Sequence, residues 1–273
     1  RGINMSMKTY TEVFKKSKEN NEGIFIPFLV AGDPDYDTSL EIAKTLVDNG
    51  ADALEIGFPF SDPVADGKSV QNADIRAFNS GMNIKKCIKF LKQLREYTDK
   101  PFGLLLYYNL VYNYGIDAFY KKLSEIGVNA VLIADLPPEE ADDVIEASNK
   151  YNIEEIFIVS QATNNDRLKM ITEIVGGFIY VASVMGTTGA RSNVEHNTTD
   201  LIKRIRKHTD IPLCVGFGIS QPEHVKEVLD AGADGAIVGS ALINIIEDNL
   251  DNEDVMFGCI AEYIQSMKDA TKR

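Results

Sequence analysis

The sequence predicts an α/β fold, a (β/α)₈ TIM barrel with an extra N-terminal helix, and three observations favour it. The length of 273 residues suits one such barrel. Short apolar runs alternate with amphipathic helical patterns along the whole chain. A helix–glycine–strand unit also recurs in both halves of the sequence. A doubly wound open sheet is the alternative architecture.

The recurring unit has the same form at residues 50–56, 127–133 and 232–238. In each, a glycine is followed by a small or acidic residue and then by an apolar run. Glycine just past a helix end accepts the left-handed backbone that closes the helix. An uninterrupted apolar run indicates a strand buried on both faces, as in a parallel sheet.

Applied to the whole chain, this reading predicts eight strands with helices between them. The strands are residues 24–30, 53–56, 102–107, 130–134, 155–160, 178–181, 213–216 and 235–238. The connection from the second to the third is unusually long, so we expect an insertion there. A further helix at residues 9–19 is expected to cover the bottom of the barrel. No linker divides the chain, so residues 1–273 are predicted to be one domain, with residues 1–8 a flexible or vector-derived N-terminus.

Composition excludes several classes of protein. The formal net charge of −13, without a basic patch, argues against a nucleic-acid partner. No apolar run approaches the roughly 18 residues needed to cross a bilayer. The three cysteines, Cys87, Cys214 and Cys259, are widely spaced and form no zinc motif. They favour a reducing compartment, and we expect the cytoplasm.

Two acidic residues stand out near the end of the second strand. In a barrel of this kind, the active site lies at the C-terminal ends of the strands. Glu55 interrupts a buried apolar strand, and loss of hydration there raises the pKa of a carboxyl group. Such a group can donate and accept protons near neutral pH. Asp66 follows on the next loop. The alternatives are a Glu55 paired with a buried cation and an Asp66 that only forms a turn.

Glycine clusters follow three consecutive strands near the C-terminus. They lie at residues 186–189, 216–220 and 239–241. Glycine lets backbone N–H groups approach an anion, and a helix that starts there points its positive end at the anion. Together the clusters predict a phosphate-carrying substrate, although each alone could be a simple turn. Apolar strand-end residues, among them Phe28, Leu105, Tyr180 and Phe217, could wall a flat pocket or fill the barrel core.

Several sequence segments together resemble the tryptophan synthase alpha subunit family. The most specific is LEIGFPFSDPVADG at residues 54–67. Further matching segments fall in the expected order, at residues 27–28, 32–34, 107–109, 115–119, 134–137 and 216–220. The resemblance covers nearly the whole chain, from about Tyr10 to Lys268.

The resemblance implies a lyase that cleaves indole-3-glycerol phosphate into indole and glyceraldehyde 3-phosphate by a retro-aldol step in tryptophan biosynthesis. Glu55 matches the family's general acid and base, and Asp66 matches the carboxylate that stabilises positive charge at the indole N1–H. Tyr180 matches an aromatic residue near the acid. The remaining matches are the indole pocket (Phe28, Leu105, Phe217), the mobile loop (Thr188) and the phosphate site (Gly189, Gly218, Gly239, Ser240).

The resemblance also implies a partner. The family pairs with a β subunit in an α₂β₂ complex, and that subunit carries pyridoxal phosphate, so no cofactor and no metal are expected in this chain. Asp62 and Pro63 match residues that face the partner. Because the family also occurs in plastids, the plastid stroma is an alternative location.

The sequence leaves three other functions to consider. A stand-alone lyase that releases free indole is the main alternative. A regulatory subunit without chemistry is disfavoured by the presence of both Glu55 and Asp66. A phosphosugar isomerase is disfavoured by the apolar pocket and by the lack of a histidine or lysine base.

Overall fold

A parallel sheet curved into a barrel forms the centre of the protein. The computed structural model describes residues 7–62, 66–183 and 191–273, with only the helical backbone given for residues 191–197. Within these residues, nine strands pair in the order β5-β4-β3-β2-β1-β9-β8-β7-β6, all in parallel. They are β1 (Ile24–Val30), β2 (Leu54–Gly57), β3 (Phe102–Leu106), β4 (Ala130–Ile133), β5 (Glu154–Glu155), β6 (Phe157–Val159), β7 (Ile179–Ala182), β8 (Leu213–Gly216) and β9 (Gly235–Val238).

The two end strands, β5 and β6, are segments of one strand, which is the fifth strand that the sequence predicts. β5 pairs with β4, whereas β6 pairs with β7. Ile156, between them, still donates its N–H to the carbonyl of Val131 at 2.9 Å. The strand therefore changes its hydrogen-bonding partner at Ile156, and chain continuity closes the barrel. The predicted (β/α)₈ TIM barrel is confirmed.

Helices alternate with the strands as predicted. They are α1 (Tyr10–Glu19), α2 (Tyr36–Asp48), α3 (Lys68–Asn79), α4 (Ile84–Tyr97), α5 (Tyr108–Tyr114), α6 (Ile116–Ile126), α7 (Asp142–Lys150), α8 (Asn165–Ile174), α9 (Arg191–Arg206), α10 (Pro222–Asp230), α11 (Ser240–Asp248) and α12 (Glu253–Asp269), with a short 3₁₀ turn at Pro138–Glu140. The long connection after the second strand contains both α3 and α4, which confirms the insertion.

The glycines of the recurring unit lie where the sequence predicts a turn out of a helix. Gly50, Gly127 and Gly232 all have positive φ, at 123°, 95° and 114°. Gly127 itself is the left-handed residue that ends α6. A side chain is strained in this backbone region, so glycine closes the helix at low cost.

Apolar side chains form two cores, one on each face of the sheet. The larger lies between the sheet and the helices. The smaller fills the barrel interior and includes Ile24, Ala53, Leu132 and Ile237. Because both faces of each strand are buried, the strands appear in the sequence as continuous apolar runs.

Helix α1 closes the bottom of the barrel, as the sequence predicts. Thr9 and Glu12 form a capping box at its N-terminus, with bonds of 3.2 and 2.7 Å. The rings of Tyr10 and Phe14 meet Phe178 edge-on, at centroid distances of 5.4 and 6.3 Å. Tyr10 thereby joins the interior core. Among the described helices, none combines the length and apolarity of a membrane span.

Candidate active site

Glu55 lies on β2, and its side chain points into the barrel interior. In the parallel register it pairs with Phe28 of β1 and with Gly103 of β3. Its side chain is 7% exposed. Burial raises the pKa of its carboxyl group to about 8, and no charged group of the described residues contributes to that shift. The alternative of a buried cation partner is therefore wrong, and Glu55 holds its proton at neutral pH.

A cavity of about 170 Å³ opens above this carboxyl group. Most of the predicted site residues line it together: Phe28, Glu55, Asp66, Leu105, Tyr180, Phe217, Gly218, Gly239 and Ser240. Phe28 and Tyr180 are almost fully buried, at 5% and 4% exposure, and their rings form apolar walls. Phe217 contacts Tyr180 at a ring centroid distance of 5.5 Å. The cavity thus combines an acid with apolar surfaces suited to a flat ring.

Asp66 is half-buried at the side of this cavity. Burial raises the pKa of its carboxyl group, and a hydrogen bond from the Tyr107 side chain opposes that increase. Its main-chain oxygen accepts a 2.8 Å hydrogen bond from the side chain of Gln71 on α3. Asp66 is thus held both through its carboxyl group and through its backbone, which is more than a simple turn requires.

The backbone of the segments after β8 and β9 lines the cavity at Gly218 and Gly239. Phe217 and Gly218 both have positive φ, at 63° and 69°. This conformation is strained for a phenylalanine, and such strain often marks a functional site. Helix α11 begins at Ser240, and no side chain of the described residues caps it at Gly239. Its first N–H groups and its positive end are thus available to an anion.

Gly57 and Gly216, at the ends of two strands, have no side chain, and the rings of Phe28 and Tyr180 occupy the space that a side chain would fill. A Cβ atom on Gly57 would lie 2.7 Å from Cζ of Phe28, and one on Gly216 would lie 2.2 Å from the Tyr180 hydroxyl oxygen. Both distances are shorter than a van der Waals contact. The shape of the cavity therefore depends on the absence of side chains at these positions.

We expect Gly216→Ala to impair both activity and stability. The new methyl group must displace the buried ring of Tyr180, and overpacking of a core costs about 1–3 kcal/mol. Substrate turnover is expected to fall about tenfold, because small displacements in a site are costly. Thermal unfolding and a steady-state turnover assay measure the two effects.

Gly258→Ala on α12 is the matched control, since a Cβ there meets nothing within 4 Å. Alanine is a better helix former than glycine by about 1 kcal/mol, so the melting temperature should stay the same or rise. A Gly216→Ala protein as stable and active as the wild type would show that the Tyr180 ring has no fixed place.

Among the four remaining predicted site residues, only Asp62 belongs to the described part of the chain, and it does not line this cavity. Asp62 is exposed and borders a separate surface cavity beside α3. Pro63, Thr188 and Gly189 lie outside the described residues, so their predicted roles stay predictions.

Five further residues line the cavity: Val70, Ile219, Ser220, Ile237 and Ala241. Ile219, Ser220 and Ala241 belong to the glycine-rich segments that the sequence predicts for the phosphate site, and Ile237 belongs to the predicted eighth strand, but none of the five was predicted individually as a site residue. Tyr107, which bonds Asp66, directly follows β3, so a search of polar strand ends could have found it. Val70 lies on α3 rather than at a strand end, and no local signal distinguishes it.

A cavity that holds two carboxyl groups at the strand ends of a parallel barrel is the arrangement of a TIM-barrel enzyme, which is the class of this protein. The family model described as tryptophan synthase alpha chain matches residues 14–272. The chain belongs to the tryptophan synthase alpha chain family. It is accordingly a carbon–carbon lyase of tryptophan biosynthesis that cleaves indole-3-glycerol phosphate to indole and glyceraldehyde 3-phosphate.

Individual relatives and solved structures agree with this assignment. The tryptophan synthase alpha chain of Methanothermobacter thermautotrophicus is 53% identical over 262 residues, covering 96% of each chain. That of Photobacterium profundum is 45% identical, covering 97% of this chain and 99% of its own. The crystal structure of tryptophan synthase subunit alpha from Legionella pneumophila superposes with a TM-score of 0.88 at 30% identity, covering 97% of this chain and 99% of that one.

Proposed function

We propose that Glu55 is the general acid and base of the cleavage reaction. The observation that carries this proposal is its burial without a charge partner, which leaves a neutral carboxyl group facing an apolar cavity. Glu55 gives its proton to C3 of the indole ring and then accepts the proton of the hydroxyl group on the adjoining carbon. The C–C bond breaks, its electron pair returns to the indole ring, and the aldehyde forms. Glu55 ends the cycle protonated.

We propose that Asp66 stabilises the intermediate charge. Protonation at C3 leaves a positive charge that is shared with the ring nitrogen, and a carboxylate near N1–H lowers its energy. The hydrogen bond from Tyr107 supports this role, because it favours the ionised form of Asp66. Two carboxyl groups in one cavity thus have opposite tasks, which their different surroundings permit.

The rest of the cavity accounts for the remaining parts of the substrate. Phe28, Leu105, Tyr180 and Phe217 enclose the indole ring. The backbone around Gly218, Gly239 and Ser240, with the start of α11, binds the phosphate group. Thr188 and Gly189, as the resemblance implies, complete the phosphate site and its closing loop.

If this phosphate site is correct, glycerol phosphate should compete with the substrate. It carries the phosphate and the polyol without the ring, so it should raise the KM and leave kcat unchanged. Inhibition at several substrate concentrations tests this, with glycerol as the matched control. A protein that binds no phosphate ester would refute the phosphate site and leave the acid–base assignment intact.

We propose that the chain works in the cytoplasm, in an α₂β₂ complex with a β subunit that supplies pyridoxal phosphate. Ile75 and Phe78 of α3 support a partner surface, because they are 56% and 41% exposed beside Asp62. Exposed apolar side chains that share one cavity are typical of protein interfaces. Asp62 and Pro63 are proposed to face that partner.

The stand-alone lyase remains the second candidate function, and one experiment separates the two. Indole release from indole-3-glycerol phosphate is measured with the purified chain alone and with a tryptophan synthase β subunit added. We expect slow release alone and faster release with the subunit. Full activity alone, unchanged by the subunit, would favour the stand-alone enzyme. No release in either case would overturn the proposed chemistry.

A further inference from the structure

Asp74 is a buried acid for which the proposed mechanism has no role. It lies on α3 and is only 4% exposed. Its carboxyl group accepts a hydrogen bond from the backbone N–H of Phe60. Phe60 belongs to the connection between β2 and α3, the same connection that carries Asp66. The buried carboxyl group of Asp74 therefore fixes the part of this connection that is nearer to β2.

Gln71 fixes the part of the same connection that is nearer to α3. It lies three residues before Asp74, so the two side chains are neighbours on one helix face. The Gln71 amide donates to the main-chain oxygen of Asp66 at 2.8 Å. Helix α3 therefore fixes the connection at two points, residue 60 and residue 66.

Side-chain contacts also connect residue 60 with residue 66. The ring of Phe60 stacks on Tyr107 at a centroid distance of 4.4 Å and an interplanar angle of 14°. The Tyr107 side chain in turn bonds the carboxylate of Asp66. A shift of Phe60 would therefore move Tyr107, and with it the hydrogen bond that holds Asp66.

Helix α3 is itself tied to its neighbours. Arg76 bonds the buried Asp33, in the connection after β1, at 2.6 Å, and Glu247 of α11 at 3.2 Å. One guanidinium group thus links three elements around the cavity. Asp74 projects from a fixed support, as a positioning residue must.

We propose that Asp74 is a positioning residue for the lyase reaction, which holds Phe60 and Tyr107 so that the Asp66 carboxylate faces the substrate ring. This inference rests on the role proposed for Asp66. Burial raises the pKa of Asp74 to about 8, and the nearby Asp66 and Asp33 add to that increase. Asp74 is therefore neutral at neutral pH, where it accepts the Phe60 N–H without adding a second negative charge beside Asp66.

The test compares Asp74→Ala with Asp74→Asn. Alanine removes the acceptor, so kcat for indole release should fall about 10- to 100-fold, the scale expected when a reacting group is misplaced. Asparagine keeps a neutral oxygen at the same place and should restore kcat to within about threefold of the wild type. The inhibition constant of glycerol phosphate should stay unchanged in both, because Asp74 is not among the residues that line the cavity with Gly218, Gly239 and Ser240.

Asp143→Ala, an exposed carboxylate on α7, is the matched control. Equal kcat for Asp74→Ala and the wild type would overturn the inference. So would a fall that asparagine does not reverse, or a parallel loss of glycerol phosphate binding, because each indicates a general structural effect. Asp66→Asn, measured alongside, separates the two proposals. If Asp66→Asn has normal kcat, the role of Asp66 fails first, whereas a slow Asp66→Asn with a normal Asp74→Ala refutes only the role of Asp74.

Discussion

Replacing Glu55 with glutamine is expected to lower kcat for indole release by about 10³-fold, within the range of a positioned general acid and base. Glutamine fills the same volume as the neutral carboxyl group but cannot transfer a proton to C3. Because the ring and phosphate contacts remain, glycerol phosphate should bind as it does to the wild type. Single-turnover and steady-state assays of indole measure the chemical step, and equilibrium titration measures binding.

Glu154→Gln is the control, since Glu154 lies on β5 beside Gly177 and Tyr10, at the closed end of the barrel. It should retain normal turnover. Near-normal turnover of Glu55→Gln would refute the acid–base role, and a loss of glycerol phosphate binding would point instead to a collapsed cavity.

Glu55→Gln is also expected to become more stable relative to the wild type as the pH rises from about 4 to about 8. In the unfolded chain a glutamate ionises near pH 4.3, whereas folded Glu55 keeps its proton up to about pH 8. Between these values the free energy of unfolding of the wild type falls by about 1.4 kcal/mol for each pH unit. Glutamine removes this loss. The difference in melting temperature between variant and wild type should therefore grow from pH 4 to pH 8.

Asp66→Asn is expected to reduce kcat by about 10²-fold or more, because it removes the negative charge that balances the protonated ring. Asparagine preserves the size of the side chain and can still accept the Tyr107 hydrogen bond. The Gln71 bond to the main chain is also unaffected. The loss should therefore appear in kcat rather than in glycerol phosphate binding.

Asp143→Asn provides the charge-matched control on an exposed helix face. If Asp66→Asn keeps the wild-type rate while the control behaves normally, Asp66 serves only the structure of its loop. If glycerol phosphate binding is lost as well, the residue shapes the whole cavity.

Much of the barrel could be predicted because its signals are local. Burial on both faces makes each strand an apolar run, and the turns at Gly50, Gly127 and Gly232 require glycine within the same few residues. Glu55 could be recognised for a related reason, as the one charged residue in its run. The break of the fifth strand at Ile156 could not be predicted, because it depends on which neighbouring strand pairs with each half.

The residues that support the site are harder to predict. Asp74 lies in an ordinary amphipathic helix, where the local sequence gives no sign that it is buried. Its burial depends on tertiary packing, including the contact with Phe60. Tyr107 was predicted within the third strand, but that strand ends at Leu106, and the side chain instead meets Phe60 and Asp66. These roles arise from contacts between segments that are distant in sequence, which a pattern within one segment does not contain.

The packing of α1 against Phe178 bears on the route by which substrate reaches the cavity and products leave it. The rings of Tyr10 and Phe14 pack against Phe178 at the base of the barrel, where Tyr10 joins the interior core. We therefore expect substrate to enter, and both products to leave, at the strand-end rim of the cavity. A protein docked over this rim would therefore decide where the released indole goes, without any change to the barrel itself.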